Sequence, residues 1–371
     1  MATSNFVPPV VFHPGITLSE KLNEMRMSVK EFAVRTSKPE KTIFAIIKGD
    51  SAVTSDMAVA FETVTKIPAG FWLKRQRSYD EYVARNKREA MMESACCWAK
   101  KFPFSKMAEL GWVSPCKNIK DKVKELFTFF QISTPKAWED YYFNQHLKVA
   151  FRISLCNMKE PYAISAWLRK GELQAATQSA ATYSEKLLRE KIPSMKALMI
   201  EETPDFPSRL KETCAEAGIK LVYTPCLPKA PINGSTRWIN NTPCVQLTGR
   251  HKRYDIFWFT FFHEIGHILL HGKKDIFLED VEYSDIDMEK EAEADNFASK
   301  TLLTHSEEEE IVANGDYSAS AIRKFAKKFN THPAIIVGRL QYKKVISFSK
   351  DNDLLPKIDL FSENNVVKDI Q

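Results

Sequence analysis

The chain has 371 residues, 44% of them hydrophobic and 11% aromatic, which excludes a disordered chain and suffices for two or three domains with cores of their own. A net charge of +6 permits contact with nucleic acid without requiring it, and most of the excess lies early, where residues 1–92 hold 14 Lys+Arg against 10 Asp+Glu. Seven cysteines without repeating spacing exclude a disulfide framework, and no signal peptide or membrane span is visible, so the expected compartment is cytoplasmic with no membrane partner.

Residues 16–83 read as short helices joined by tight turns. Leu18, Leu22 and Met25 form a first apolar stripe, and Ser28 with Glu31 three residues on has the spacing of a capping box for a second helix. Pro39 opens a third helix with Ile43, Ile46 and Ile47 inward, Gly49 ends it, and a fourth starts at Thr54-Ser55. Two short helices across a tight turn make a helix-turn-helix whose second member enters the major groove. On its outward side lie Lys38, Lys41, Thr42, Ala45 and Lys48. The lysines can neutralise phosphates and Thr42 can reach a base edge or a phosphate; a solvated face of an ordinary helical bundle has the same composition.

His13-Pro14-Gly15, Ser28-Val29-Lys30-Glu31-Phe32-Ala33, Lys41-Thr42-Ile43, Ile47-Lys48-Gly49 and Pro68-Ala69-Gly70-Phe71-Trp72-Leu73 together resemble the HigA-type antitoxin branch of the Xre/Cro helix-turn-helix family. That resemblance covers about the first 80 residues and implies a homodimer that binds operator DNA and represses its own operon. The chain departs from the pattern at Phe44, where a small or polar residue is expected, and at Asp50, where a basic one is commoner.

Residues 84–215 have apolar spacings suited to packed helices at Met91–Lys101, Ile119–Phe130 and Ser165–Leu173, with Trp98, Trp112, Trp138 and Trp167 expected to fill cores. Lys191–Pro207, with three prolines, reads as a connector before a helix at Arg209–Ala217. From Gly218 the pattern changes to strands, Ile219–Tyr223, Arg237–Ile239 and Cys244–Leu247, between Pro, Gly and Asn turns. Such a sheet places an edge strand where it can hold an extended peptide by backbone hydrogen bonds, and Pro243–Leu247, with Val245 and Gln246, is the candidate substrate strand.

The sheet leads into Phe257–His271, an apolar run containing His263-Glu264-Ile265-Gly266-His267. Histidines four apart share a helix face with Cβ atoms about 6 Å apart, so both imidazoles can bind one zinc while Glu264 stands beside it as the base for water. A buried core helix with satisfied polar groups is the plainer reading. It is disfavoured because Phe257, Trp258, Phe261, Phe262, Ile265 and Ile268 make the helix apolar nearly all round, where bare imidazoles and a carboxylate are costly. A catalytic zinc takes three protein ligands and keeps an open position. Downstream, Ala294, Ala298 and Leu302 mark the inward face of an acidic helix; Glu291 and Asp295 share that face, while Glu289 and Glu293 lie well round it. Glu291 is therefore the expected third ligand and Asp295 the residue that orients an imidazole. His271 reads as a helix-end residue, and Tyr254, Tyr283 and Arg237 are candidates by type alone for stabilising an oxyanion.

Phe261–His267 together with Glu291-x-x-Ala294-Asp295-x-Phe297-Ala298 is similar to the ImmA/IrrE metallopeptidase family. The resemblance implies two histidines and a glutamate on zinc, the motif glutamate as general base, and a role in controlling helix-turn-helix repressors, often by proteolysis. His332–Gln341 extends the likeness to large antitoxin-like regulators that join both modules. The expected fold is mainly α with a small α+β domain: a helix-turn-helix bundle at 1–85, a helical middle at 86–215, and a zincin-like domain with a small sheet at 216–371. The expected function is a DNA-binding regulator whose zinc peptidase acts on a toxin, a repressor or its own chain. A non-catalytic autorepressing antitoxin, whose zinc domain senses a ligand or holds a toxin, carries the same motif, as does a purely structural zinc site.

Overall fold

A computed structural model describes residues 11–145, 160–228, 230, 232–271, 277–278, 285–348 and 352–361, and the chain divides into two compact units, Met1–Ser94 and Ala95–Gln371. In the first unit α1 (Pro14–Glu24), α2 (Val29–Thr36), α3 (Glu40–Lys48) and α4 (Ser55–Thr65) precede the start of a long α5 (Ala69–Ala99). Local chemistry sets the boundaries. Ser28 accepts the Glu31 N–H at 3.1 Å, Thr54 accepts the Met57 N–H at 3.3 Å, and Gly49 closes α3 at φ +85°, a left-handed cap that glycine adopts without strain. The Glu31 carboxylate turns instead to Arg35, 2.7 Å away, so the capping box is only half made. Leu18, Phe32, Ile43, Ile46, Phe61 and Trp72 form the core, with Trp72 edge-on to Phe61.

His13 ties this bundle together. Its Nδ1 accepts the Gly15 N–H at 3.0 Å at the start of α1, and its ring stands edge-on to Tyr79. Burial pulls the imidazole below its ordinary value, while the Asp80 carboxylate and the Ile46 carbonyl work the other way. The folded state therefore binds the proton less readily than the unfolded chain, whose imidazole titrates near about 6.5, so its stability is complete above that value and falls as the pH drops below it. Thermal denaturation at pH 7.5 and 5.5 is expected to show a smaller acid loss in His13→Gln than in the parent, and equal losses would contradict this assignment.

The second unit begins at the end of α5 and continues through α6 (Phe104–Glu109), α7 (Ile119–Phe130), α8 (Pro135–Glu139) with a π-helical turn at Asp140–Gln145, and α9 (Pro161–Ala176). Trp98, Phe102, Phe130, Trp138 and Tyr162 interlock edge-on, tilted or stacked, so Trp98 and Trp138 fill a core as expected of them. The connector expected at Lys191–Pro207 is instead mostly helix. α10 (Glu185–Glu201) carries Pro193 in its interior and α11 (Phe206–Glu216) uses Pro207 in its first turn. Leu188, Met195 and Leu198 bury the same face of α10 on both sides of Pro193, so packing overrides the local cost of the proline.

Strands β1 (Lys220–Tyr223), β2 (Gly234–Ile239), β3 (Thr242–Leu247) and β4 (Phe277–Leu278) form one sheet in the order β1-β3-β2-β4. β2 and β3 are a hairpin closed by Asn240-Asn241, both at positive φ, the conformation that suits the twist of a two-residue turn. β1 joins β3 in parallel, Lys220 opposite Cys244, and β4 joins β2 antiparallel. Leu221, Val245 and Leu247 pack with Trp258, Phe261 and Ile265 of α12 (Tyr254–Leu270). α13 (Asp285–Leu302), α14 (His305–Asn314), α15 (Ala319–Lys328) and α16 (Pro333–Tyr342) complete the unit. The architecture is mainly α with a small α+β part. Among the described residues no helix is long and apolar enough to cross a membrane.

Candidate metal centre

α12 and α13 approach closely at one residue. A Cβ on Gly266 would fall 3.2 Å from the Ala294 Cα and 3.2 Å from the Phe297 ring, so any side chain here must push its neighbours back by at least a few tenths of an ångström. The approach brings three donors together. His263 Nε2 lies 2.9 Å from His267 Nε2 and 3.1 Å from Glu291 Oε2, and Glu291 Oε1 is 3.5 Å from His267 Nε2. Their ligating atoms fall within 4.8 Å of one another, with His263 2% and His267 1% exposed.

Each imidazole is held from behind. His263 Nδ1 is 2.9 Å from Asp295 Oδ1, which assigns the proton to Nδ1 and turns the Nε2 lone pair toward Glu291. His267 Nδ1 lies 2.9 Å from His271 Nδ1, and His271 Nε2 lies 3.0 Å from Glu293 Oε2. With Glu293 accepting from His271 Nε2–H, His271 Nδ1 becomes the acceptor for His267 Nδ1–H, and the His267 Nε2 lone pair also faces inward. Two lone pairs and a carboxylate converging in a buried space repel one another unless a cation or a proton lies between them. Donors on tetrahedral zinc, with bonds of about 2.0–2.1 Å, stand roughly 3.3 Å apart, close to this spacing. The donor set fits zinc.

Protonation states agree with that fit. Burial pulls the His267 imidazole down to about 4, against the opposing pull of Glu291. Burial alone would raise Glu291, but a proton shared with His263 or His267, in the place a cation would take, outweighs burial and holds it at about 2. Neutral imidazole and ionised carboxylate are the forms that ligate a metal. Glu264, fully buried, follows His263 on the same helix; Thr236 of β2 donates to its backbone carbonyl at 3.1 Å. β2 passes so near that a Cβ on Gly234 would lie 2.6 Å from Glu264 Oε1.

Other expected positions fall elsewhere. β3 is not an edge: Val245 pairs with Leu221 on one side and Thr236 on the other, and both Val245 and Gln246 are fully buried. The Gln246 amide donates to the Trp167 carbonyl at 2.7 Å and to Thr224 Oγ1 at 3.0 Å, pinning the sheet to α9. A strand paired on both sides has no backbone groups left for a peptide, which corrects the substrate-strand assignment. Arg237 is locked to Glu172 and the Leu168 carbonyl, and Tyr254 donates to the Met199 carbonyl at 2.7 Å, so neither oxyanion candidate is available for that role. Tyr283 lies outside the described residues. In the first unit Lys41 and Lys48 are exposed on α3, Thr42 and Ala45 are half-buried, and Lys38 pairs with Asp56. The residues that sequence reasoning missed are His271 and Glu293 as the support of His267.

Residues 214–341, which contain all of these donors, match the Peptidase_M78 family, described as the IrrE N-terminal-like domain. Three solved structures are each similar to 23% of the chain, with a TM-score of 0.22. One is an addiction module antidote protein of the HigA family from Coxiella burnetii, 29% identical over 92% of that chain. Another is a putative antidote protein of a plasmid maintenance system from Nostoc punctiforme, 23% identical over 92% of its length. The third is the Pseudomonas aeruginosa antitoxin HigA with the higBA promoter, 24% identical over 94%. No curated protein matches the chain.

Proposed function

We propose that the chain is a DNA-binding regulator of the antitoxin kind, dimeric on its operator, whose domain at 216–371 is a zinc-dependent peptidase acting on a regulatory protein or on the chain itself. The observation that carries this reading is the convergence of His263, His267 and Glu291, each imidazole oriented by a partner of its own. Zinc, when bound there, would polarise a peptide carbonyl and make a water more acidic. Asp295 and His271 keep the two Nε2 lone pairs turned inward. Glu264 accepts the proton of the attacking water and passes it to the leaving amine nitrogen, as the C–N bond breaks and the new C–O bond forms. Lys41 and Lys48 would meet phosphates while Ile43 and Ile46 hold α3 on its bundle.

A second reading, a non-catalytic antitoxin whose zinc domain senses a ligand, is favoured by a cavity of about 330 Å³ lined by Phe259, Asp295, Ser299, Leu302 and Ile335. It is of small-molecule size, and an occupant would touch the residue that orients His263. The first test is zinc content per chain in the parent and in His263→Ala, followed by incubation at physiological pH and mass spectrometry for new termini. One zinc per parent chain with new termini supports the peptidase, zinc without cleavage favours the second reading, and no zinc in the parent rejects the centre.

A further inference from the structure

α3 exposes an apolar side chain where a DNA-reading helix meets bases. Counting along the helix, Lys41, Phe44, Ala45 and Lys48 fall on one face, opposite Ile43 and Ile46, both of which are fully buried. Phe44 is 44% exposed and stands outside the core of its unit, between the exposed Lys41 and Lys48. Its ring thus sits in the middle of a cationic face.

The chemistry of that ring narrows what it can read. A phenyl ring offers neither donor nor acceptor to a base edge, so the hydrogen-bond code of the major groove is closed to it. The one apolar group that base pairs present there is the C5-methyl of thymine. Lysines one turn to either side supply the phosphate contacts that would hold the helix in register with that methyl. We propose that Phe44 is a specificity-determining residue that reads a thymine methyl in the operator. This rests on the DNA-binding reading given above and adds to it the base that is selected.

Replacing thymine by uracil throughout the DNA upstream of the protein's own coding sequence removes every C5-methyl and leaves pairing and charge unchanged. The full-length parent, Phe44→Ala and Phe44→Leu are compared on thymine and uracil DNA at one salt concentration. The parent is expected to bind uracil DNA about three- to tenfold more weakly than thymine DNA, from loss of an apolar contact of roughly one methyl. Phe44→Ala should bind both DNAs equally, with the salt slope of the parent because the lysines remain, and Phe44→Leu should keep part of the thymine preference. An equal uracil penalty in parent and Phe44→Ala would overturn the assignment and leave DNA binding intact, as would no penalty in either. Absence of binding by the parent would overturn DNA binding itself and this assignment with it. A change in oligomeric state in Phe44→Ala, with the uracil penalty retained, would make Phe44 a protein contact instead.

Discussion

Glu264→Gln is expected to lower peptide cleavage by about two to four orders of magnitude, the usual contribution of a positioned general base, with zinc content unchanged. Glutamine fills the same space, which matters because β2 presses on the carboxylate so closely that Gly234 has no room for a Cβ. The amide cannot accept the proton of the attacking water, whereas His263, His267 and Glu291 keep their positions. Metal analysis and the appearance of new termini, read on the same samples, check both halves of the expectation. Function that survives in Glu264→Gln with zinc retained would favour the non-catalytic antitoxin. If Glu264→Gln changes nothing while His263→Ala unfolds the domain, the site is structural.

Gly266→Val is expected to strip zinc without touching a donor. The first carbon of the new side chain already lies 3.2 Å from the Ala294 backbone, and two further methyls must be accommodated in the same contact between α12 and α13. The helices must separate, which carries Glu291 away from both imidazoles. Overpacking of this kind costs about 1–3 kcal/mol, so the expected result is a folded protein with a lowered melting temperature and far less than one zinc per chain. Gly266→Ala needs a shift of only a few tenths of an ångström and should retain most of the metal. Full zinc occupancy in Gly266→Val would show that the close approach is not what assembles the site.

What could be read from the sequence was local. Ser28, Thr54 and Gly49 mark their helix ends because a cap is a contact within one turn, and the structure forms α2, α3 and α4 at those positions. Periodicity placed Glu291 on the face of α13 that turns to the histidines, since Ala294, Ala298 and Leu302 on the same face are all buried. The failures lie where a partner decides. Pro193 looked like a break, and its helix survives because side chains on both sides of it are buried. Strand order escaped because the parallel partner of β3 comes earlier in the chain, and nothing within Thr242–Leu247 reveals that both of its edges are taken. Glu293 pointed aside by helical angle alone. Its length lets it reach His271 at the end of the neighbouring helix, a position that no single-helix pattern contains.

The Gly266 contact also bears on how the site comes and goes. His267 and Glu291 are separated by 24 positions in the chain, and joining the ends of a free loop of that length costs about 3 kcal/mol in chain entropy. Helix packing closes this loop, since Gly266 and Ala294 meet just beside His267 and Glu291. The affinity of an ion bound there would then not carry the cost of ordering the chain. An ion held there would then be loaded and released by local exchange among three donors that helix packing has already brought together.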